Sequence, residues 1–273
     1  MSVMNYMRKI TESIIKWIDR NSKKFKIVLL VVFLVCLVCY IKNVISIIKS
    51  TRSAQVIGDE TVVCGRVEVR KRLMSKNDKI VVIDAGHGGN DPGKVGVHNE
   101  LEKDINLSIA YILKEKLLKS GFSVIMTRTG DDGLYNMNDT NKKISDMNKR
   151  VEIINSSNAI CLVSIHQNSY ISCNEHGAQS FYFRTSDISK ELASSIQDSM
   201  IRNYDVNNKR MEKANDSYYI LKKSYVPAVI VECGFLSNEE ESRKLTMPKC
   251  QYKIAEAIKL GIIKWANEII NEK

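Results

Sequence analysis

The sequence predicts an α/β fold: a single domain with a mostly parallel, roughly six-stranded sheet flanked by helices. Two observations carry this. Short continuous apolar runs recur along the chain, and between them lie longer segments whose apolar residues return at helical spacing. Continuous apolar strands alternating with amphipathic helices describe a sheet covered on both faces. With 44% hydrophobic and 26% charged residues, 273 residues suffice for one sizeable core plus accessory segments.

The first accessory segment is at the front. Residues 1–50 carry nine Lys/Arg against Glu12 and Asp19, which is +7 of the net charge of +10; the rest carries 32 against 29 and is nearly balanced. No stretch interleaves arginine with aromatics, so nucleic acid is excluded as a partner. An unbroken apolar run, 27–41, follows Arg20, Lys23, Lys24 and Lys26, and after Lys42 and Asn43 the apolar residues resume over 44–48. Lysines at both ends can snorkel and lengthen a short span. Arg52 occupies the −3 position before Ala54, which is a poor cleavage site, so the segment is read as an uncleaved signal anchor. The positive-inside rule then puts residues 1–26 in the cytoplasm and everything after residue 50 outside. The expected organisation is a basic segment 1–26, a transmembrane anchor 27–48, a spacer 49–78 and the catalytic domain 79–273. Seven cysteines, two of them (Cys36 and Cys39) inside the apolar span and none in a C-x-x-C pattern, support neither a cysteine metal site nor a disulfide framework.

Within the spacer, 61–70 alternates in a way that fits a hairpin strand or a plain linker. The regular pattern starts with a buried strand at 79–83. Apolar residues at 101, 105, 109, 112 and 113 predict a helix over 100–119, closed by Gly121. Strands at 122–127 and 159–165 enclose a helix at 144–156. A strand at 178–183, a helix at 188–203, a strand at 228–231 and a helix at 251–270 complete the series.

Three of the apolar strands end alike. The first runs through Asp84 into Gly86-His87-Gly88-Gly89, the second into His166, and the third into Glu232-Cys233-Gly234. Ligands of open parallel sheets bind at the carboxyl ends of the strands, so these polar residues gather on one edge. Two histidines and carboxylates converging there suit a hydrolytic zinc site with an open position for water. Glu102, in the first turn of the following helix, shares a face with Asn106, Ile109 and Leu113 and can look toward the sheet. Glu100 and Asp104 lie on other faces and are read as solvated.

Each residue also has a plainer reading. A Gly-His-Gly-Gly loop can be only a tight turn, and a lone strand-end histidine is more often a hydrogen-bonded core residue than a ligand. Glu232 is harder to dismiss, because a carboxylate ending a buried strand is costly unless paired, coordinated or used for proton transfer. His98 and His176 read as surface residues or as supports behind the ligands, and Ser164 and Cys233 as packing residues rather than nucleophiles.

The stretch Ile83-Asp84-Ala85-Gly86-His87-Gly88-Gly89, then Asp91-Pro92-Gly93 and Glu102-Lys103-Asp104, resembles the zinc-dependent N-acetylmuramoyl-L-alanine amidases of the amidase-3 family. Thr127-Arg128, Arg150, Ser164-Ile165-His166-Gln167-Asn168 and Val226-Pro227-Ala228 through Asn238 continue it, over roughly residues 79–270. Ala85 stands where the family often has proline. The segments 150–155, 177–182 and 218–223 are most similar to the family's sporulation- and germination-specific branch.

The resemblance implies one zinc ion held by His87, Glu102 and His166, with Glu232 as the catalytic carboxylate. Asp84 is expected to orient His87, Asn168 to bond substrate or a ligand, and Arg150 to support the ligands or touch substrate. The implied reaction cleaves the amide between the muramic acid lactyl group and L-alanine in peptidoglycan glycan strands bearing stem peptides. The implied setting is spore cortex maturation, as the first step toward muramic δ-lactam, in the space between forespore and mother-cell membranes, with an accessory lipoprotein as partner. The rival readings are a zinc peptidase or carboxypeptidase acting on the stem and a non-catalytic wall-binding protein.

Overall fold

Strand Ile80–Ala85 is buried on both of its faces, and such a strand needs helices above and below it. The computed structural model, which describes residues 8–9, 11–13, 16, 59–75 and 79–271, has this layered arrangement. In chain order the elements are α1 (Asp59–Met74), β1 (Ile80–Ala85), α2 (Glu102–Lys119), β2 (Ser123–Met126), α3 (Lys142–Ser156), β3 (Cys161–Asn168) and β4 (Gln179–Tyr182). They continue with α4 (Asp187–Asn203), β5 (Lys213–Ala214), α5 (Tyr219–Lys223), β6 (Ala228–Phe235), α6 (Glu239–Thr246) and α7 (Pro248–Asn271).

The six strands lie in the order β2-β1-β3-β6-β4-β5. The four from β2 to β6 are mutually parallel, β4 runs antiparallel to β6, and β5 pairs parallel with β4. Because strand side chains alternate between faces, Val81, Ile83, Cys161, Val163, Ile165, Val229 and Val231 form one core with α2, α4 and α7. Val82, Leu162 and Ile230 pack on the other face with Ile154 of α3 and Ile220 and Leu221 of α5. The same alternation puts Asp84, Ser164, His166 and Glu232 on this second face, where the helical cover is thinner.

The chain divides by its contacts into Met1–Gly58 and Asp59–Lys273. In the first unit, Arg8 forms an exposed ion pair with Glu12 one helical turn on. Among the described residues no helix is long and apolar enough to cross a membrane, and the segment expected to do so, 27–48, lies outside them. In the second unit, residues 61–70 are neither hairpin strand nor linker but part of helix α1. Val69 and Leu73 of α1 join the larger core, and Arg72 donates to the Ala159 carbonyl at 2.8 Å, so the compact unit begins before the boundary expected at 79.

Leu73 is 1% exposed. Its replacement in Leu73→Ala is expected to destabilise the folded unit by about 2–4 kcal/mol in denaturant melts, the range for a buried leucine. A freely standing spacer would leave the midpoint unchanged.

Candidate metal centre and catalytic cleft

The site is built on strand ends held in register. Asp84 pairs with Ser164 and His166 with Glu232 across parallel neighbours, so the carboxyl ends of β1, β3 and β6 share one edge. A register shift between His166 and Asn168 breaks the ladder there, as a bulge does when it re-aims side chains beside a site. His87 follows β1 in the left-handed region, with φ 63°.

Glu102 is the hub. It is 2% exposed in the first turn of α2. Its Oε2 accepts the Lys94 amide at 2.7 Å and its Oε1 accepts the Gln167 amide at 3.0 Å. The nearest histidine nitrogens are His166 Nδ1, 2.9 Å from Oε1, and His87 Nε2, 3.2 Å from Oε2. Burial alone would raise the Glu102 carboxyl, but hydrogen bonds with His166 and His87 outweigh it and hold the group well below the usual carboxylate range. Burial works against a charged His87 too, and its contacts with Glu102 and Asp91 overcome that and raise its pKa. One donor atom from each of His87, Glu102 and His166 falls within 4.8 Å of the other two. The imidazoles meet edge to face, 5.0 Å apart at 77°.

Two glycines make room for this group. A Cβ on Gly86 would lie 2.2 Å from the His166 ring, and one on Gly93, which also has φ 70°, would lie 2.6 Å from Glu102 Oε2. Neither position accepts a side chain while the rings stay where they are.

Glu232 faces the group from β6. It is 7% exposed; its Oε1 accepts the Tyr218 hydroxyl at 3.3 Å, and its buried Oε2 has no hydrogen-bond partner. Burial pushes its carboxyl up to about 7, with His166 pulling downward and Glu102 adding to the rise. These residues line a cleft of 640 Å³ whose walls include Tyr135, Met147 and Tyr219.

Asp84 is not where the sequence put it. Its oxygens accept Arg150 Nη1 at 2.6 Å, the Thr127 hydroxyl at 2.7 Å and the Ser164 hydroxyl at 2.5 Å, and the ring partner of His87 is instead Asp91, at 2.9 Å. Asp91 sits four residues on, within reach only because the Gly88-Gly89 turn doubles the loop back. Arg150 is 2% exposed and bonded inward, a supporting residue rather than a substrate contact. Asn168 lines the cleft, but its side chain accepts the Ser169 amide. His98 and His176 are exposed, and burial pushes the Cys233 thiol up, so none of the three offers rival chemistry. Tyr218 and Asp91 are the functional-site residues the sequence left unassigned.

The profile of the N-acetylmuramoyl-L-alanine amidase family, Amidase_3, matches residues 81–264. The chain belongs to this family. The amidase is 38% identical, over 70% of its length and 81% of the relative's, to the germination-specific N-acetylmuramoyl-L-alanine amidase of Bacillus subtilis. It superposes with a TM-score of 0.68, at 42% identity over 70% of this chain and 99% of the other, on the CwlD amidase of Clostridioides difficile solved in complex with the GerS lipoprotein. A second N-acetylmuramoyl-L-alanine amidase, from Clostridium difficile 630, gives 0.63 at 34% identity over 71% of this chain and 98% of that one. In this structure His87, Glu102, His166 and Glu232 line one cleft.

Burial would raise the Asp84 carboxyl, but Arg150, Ser164 and Thr127 together lower it from 3.8 to about 2. A carboxyl lowered on folding contributes stability that is present above its unfolded pKa and lost as pH falls through the folded one. Asp84→Asn is therefore expected to be less stable than the native chain at neutral pH by on the order of 2 kcal/mol, with the gap closing between pH 4 and about 2 in urea melts. A gap independent of pH would remove charge from the explanation.

Proposed function

We propose that this chain is a zinc-dependent amidase that hydrolyses the bond between the muramic acid lactyl group and the L-alanine of the stem peptide. The observation that carries the proposal is the convergence of two imidazoles and a buried carboxylate opposite Glu232, whose Oε2 is buried without a partner. Two histidines and one carboxylate, with the remaining side facing a cleft, are the donor set of hydrolytic zinc sites. His87, Glu102 and His166 would hold the ion. When bound, zinc supplies Lewis-acid polarisation of the scissile carbonyl and acidifies water toward a pKa of about 7.

The protein's own groups divide the remaining work. Asp91 at His87 Nδ1 fixes that ring so that Nε2 faces Glu102. Glu232 takes the proton of the attacking water at its unpartnered Oε2 and returns it to the departing alanine nitrogen. A carboxyl set near neutrality by protein groups is suited to both transfers. Tyr218, donating to Oε1, orients the carboxylate.

The identity with a germination-specific amidase supports a role in spore cortex maturation, with peptidoglycan glycan strands bearing stem peptides as substrate. The C. difficile relative's complex with the GerS lipoprotein supports an accessory lipoprotein as partner. The basic-flanked apolar segment 27–48 supports a membrane anchor that leaves the catalytic domain outside the cytoplasm, between forespore and mother-cell membranes in a sporulating cell.

Product analysis separates this reading from a stem peptidase. Digested glycan is expected to release intact stems with free L-alanine amino termini; shortened stems still attached to muramic acid would refute it. Glu232→Gln is expected to retain about one zinc per chain and lose turnover by at least ~100-fold, the scale of general acid–base catalysis. His87→Ala and His166→Ala should each lose the metal by elemental analysis, and full occupancy in both would reject the ligand set.

A further inference from the structure

His87 is a non-glycine residue at φ 63°, in a turn that continues through Gly88 at 134° and Gly89 at 58°. Such backbone costs on the order of 1–3 kcal/mol and persists only where the surroundings over-determine it. Here the surroundings are two buried arginines, Arg128 just after β2 and Arg150 on α3, 3% and 2% exposed.

Both arginines reach the main chain leading into the turn. Arg128 donates from Nε to the Ala85 carbonyl at 2.8 Å and from Nη2 to the Gly86 carbonyl at 3.2 Å. Arg150 donates from Nη1 to the Ala85 carbonyl at 2.9 Å and from Nη2 to the His87 carbonyl at 2.6 Å. Three consecutive carbonyls, ending on that of His87, are therefore gripped by guanidinium groups. The loop also rests on Arg128: a Cβ on Gly88 would come within 2.9 Å of its Cδ.

The two arginines differ in what balances them. Arg150 is neutralised by Asp84 at 2.6 Å and Asp146 at 2.5 Å. Arg128 forms no ion pair with a described residue; its remaining bonds go to the carbonyls of Gly130 and Lys103, each at 2.8 Å. Asp84, Asp131 and Asp104 act on it only from beyond ion-pair distance, and a buried guanidinium without a carboxylate in contact is an expensive way to stabilise a fold. What Arg128 does join is specific: Lys103 follows Glu102 in the first turn of α2, so one side chain ties the His87 loop to the helix that carries Glu102. With its donors committed to carbonyls and 3% of its surface exposed, Arg128 is not placed to bind substrate.

We propose that Arg128 and Arg150 form a main-chain clamp that positions the metal ligands, Arg150 holding His87 in its left-handed turn and Arg128 setting the separation of His87 from Glu102. They are positioning residues. The clamp rests on the metal-site reading given above, and it makes metal affinity, beyond fold stability, depend on groups that touch neither metal nor substrate. Outer partners of metal ligands are worth about 10–100-fold in affinity.

The test is zinc affinity of the full chain by chelator competition, with the visible absorption of the cobalt(II)-substituted protein as a report on ligand geometry. Arg128→Met, folded by circular dichroism, is expected to bind zinc about 10–100-fold more weakly than the native chain and to shift the cobalt bands. Arg128→Lys keeps the charge but cannot span the carbonyls of Ala85, Gly86 and Lys103 at once, so it should fold and still bind at least about tenfold more weakly. A folded variant whose zinc affinity stays within about threefold of native, with unchanged cobalt bands, overturns the clamp. So does failure of both variants to fold, which would make Arg128 a stability element. If the native chain itself takes up no zinc, the metal-site reading fails first, and the two failures are told apart in the same titration.

Discussion

A carboxylate sealed inside the fold at 2% exposure organises this molecule. Glu102 receives main-chain amides from the loop before α2 and from β3, and it lies against both imidazoles of the site. A buried anion this well supplied with donors stays ionised and fixes what surrounds it. It sets where α2 begins relative to the sheet edge and how far the His87 loop can close. The glycines at 86 and 93 follow from it, since any side chain there would enter the space that Glu102 and the rings occupy.

Much of this was legible in the sequence, because buried parallel strands leave a strong mark. The runs leading to His87, His166 and Glu232 are apolar but for Asp84 and Ser164, although β3 and β6 continue past His166 and Glu232 to Asn168 and Phe235, beyond the ends expected at 165 and 231. Glu102 was legible through the helical period that aligned it with Asn106, Ile109 and Leu113, all buried in α2. What failed was local. Helix α1 holds four valines in its sixteen residues, a composition that reads as strand, yet Val69 and Leu73 of it pack into the core as helix, so tertiary packing overrides propensity. Strand β5 and helix α5 span two and five residues, too few to show a period. Helix α6 went unassigned although its signals are present, with Asn238 as cap and Glu239, Glu240 and Glu241 in its first turn.

The contacts that tune the site were less visible than the residues that form it. Tyr218 reaches Glu232 because the segment before α5 crosses back over β6, which no spacing in the chain encodes. Asp84 shares a face with His166 and Glu232, yet its oxygens are taken by Arg150, Thr127 and Ser164 beneath the loop, while Asp91 reaches the His87 ring.

Helix α7 gives the architecture an order in time. Helix α2, which carries Glu102, lies against it, with Ser108 donating to Gln251 at 2.6 Å and Lys116 paired with Glu256 at 2.7 Å. Val81, Ile83 and Leu113 share their core with Ile254, Ile258 and Ile262 of α7. A ribosome delivers β1 and α2 long before α7, and contacts this distant in sequence form late because the intervening chain must first be closed into a loop. The helix that carries Glu102 near the start of the domain is therefore braced by residues near its end, which the chain supplies last.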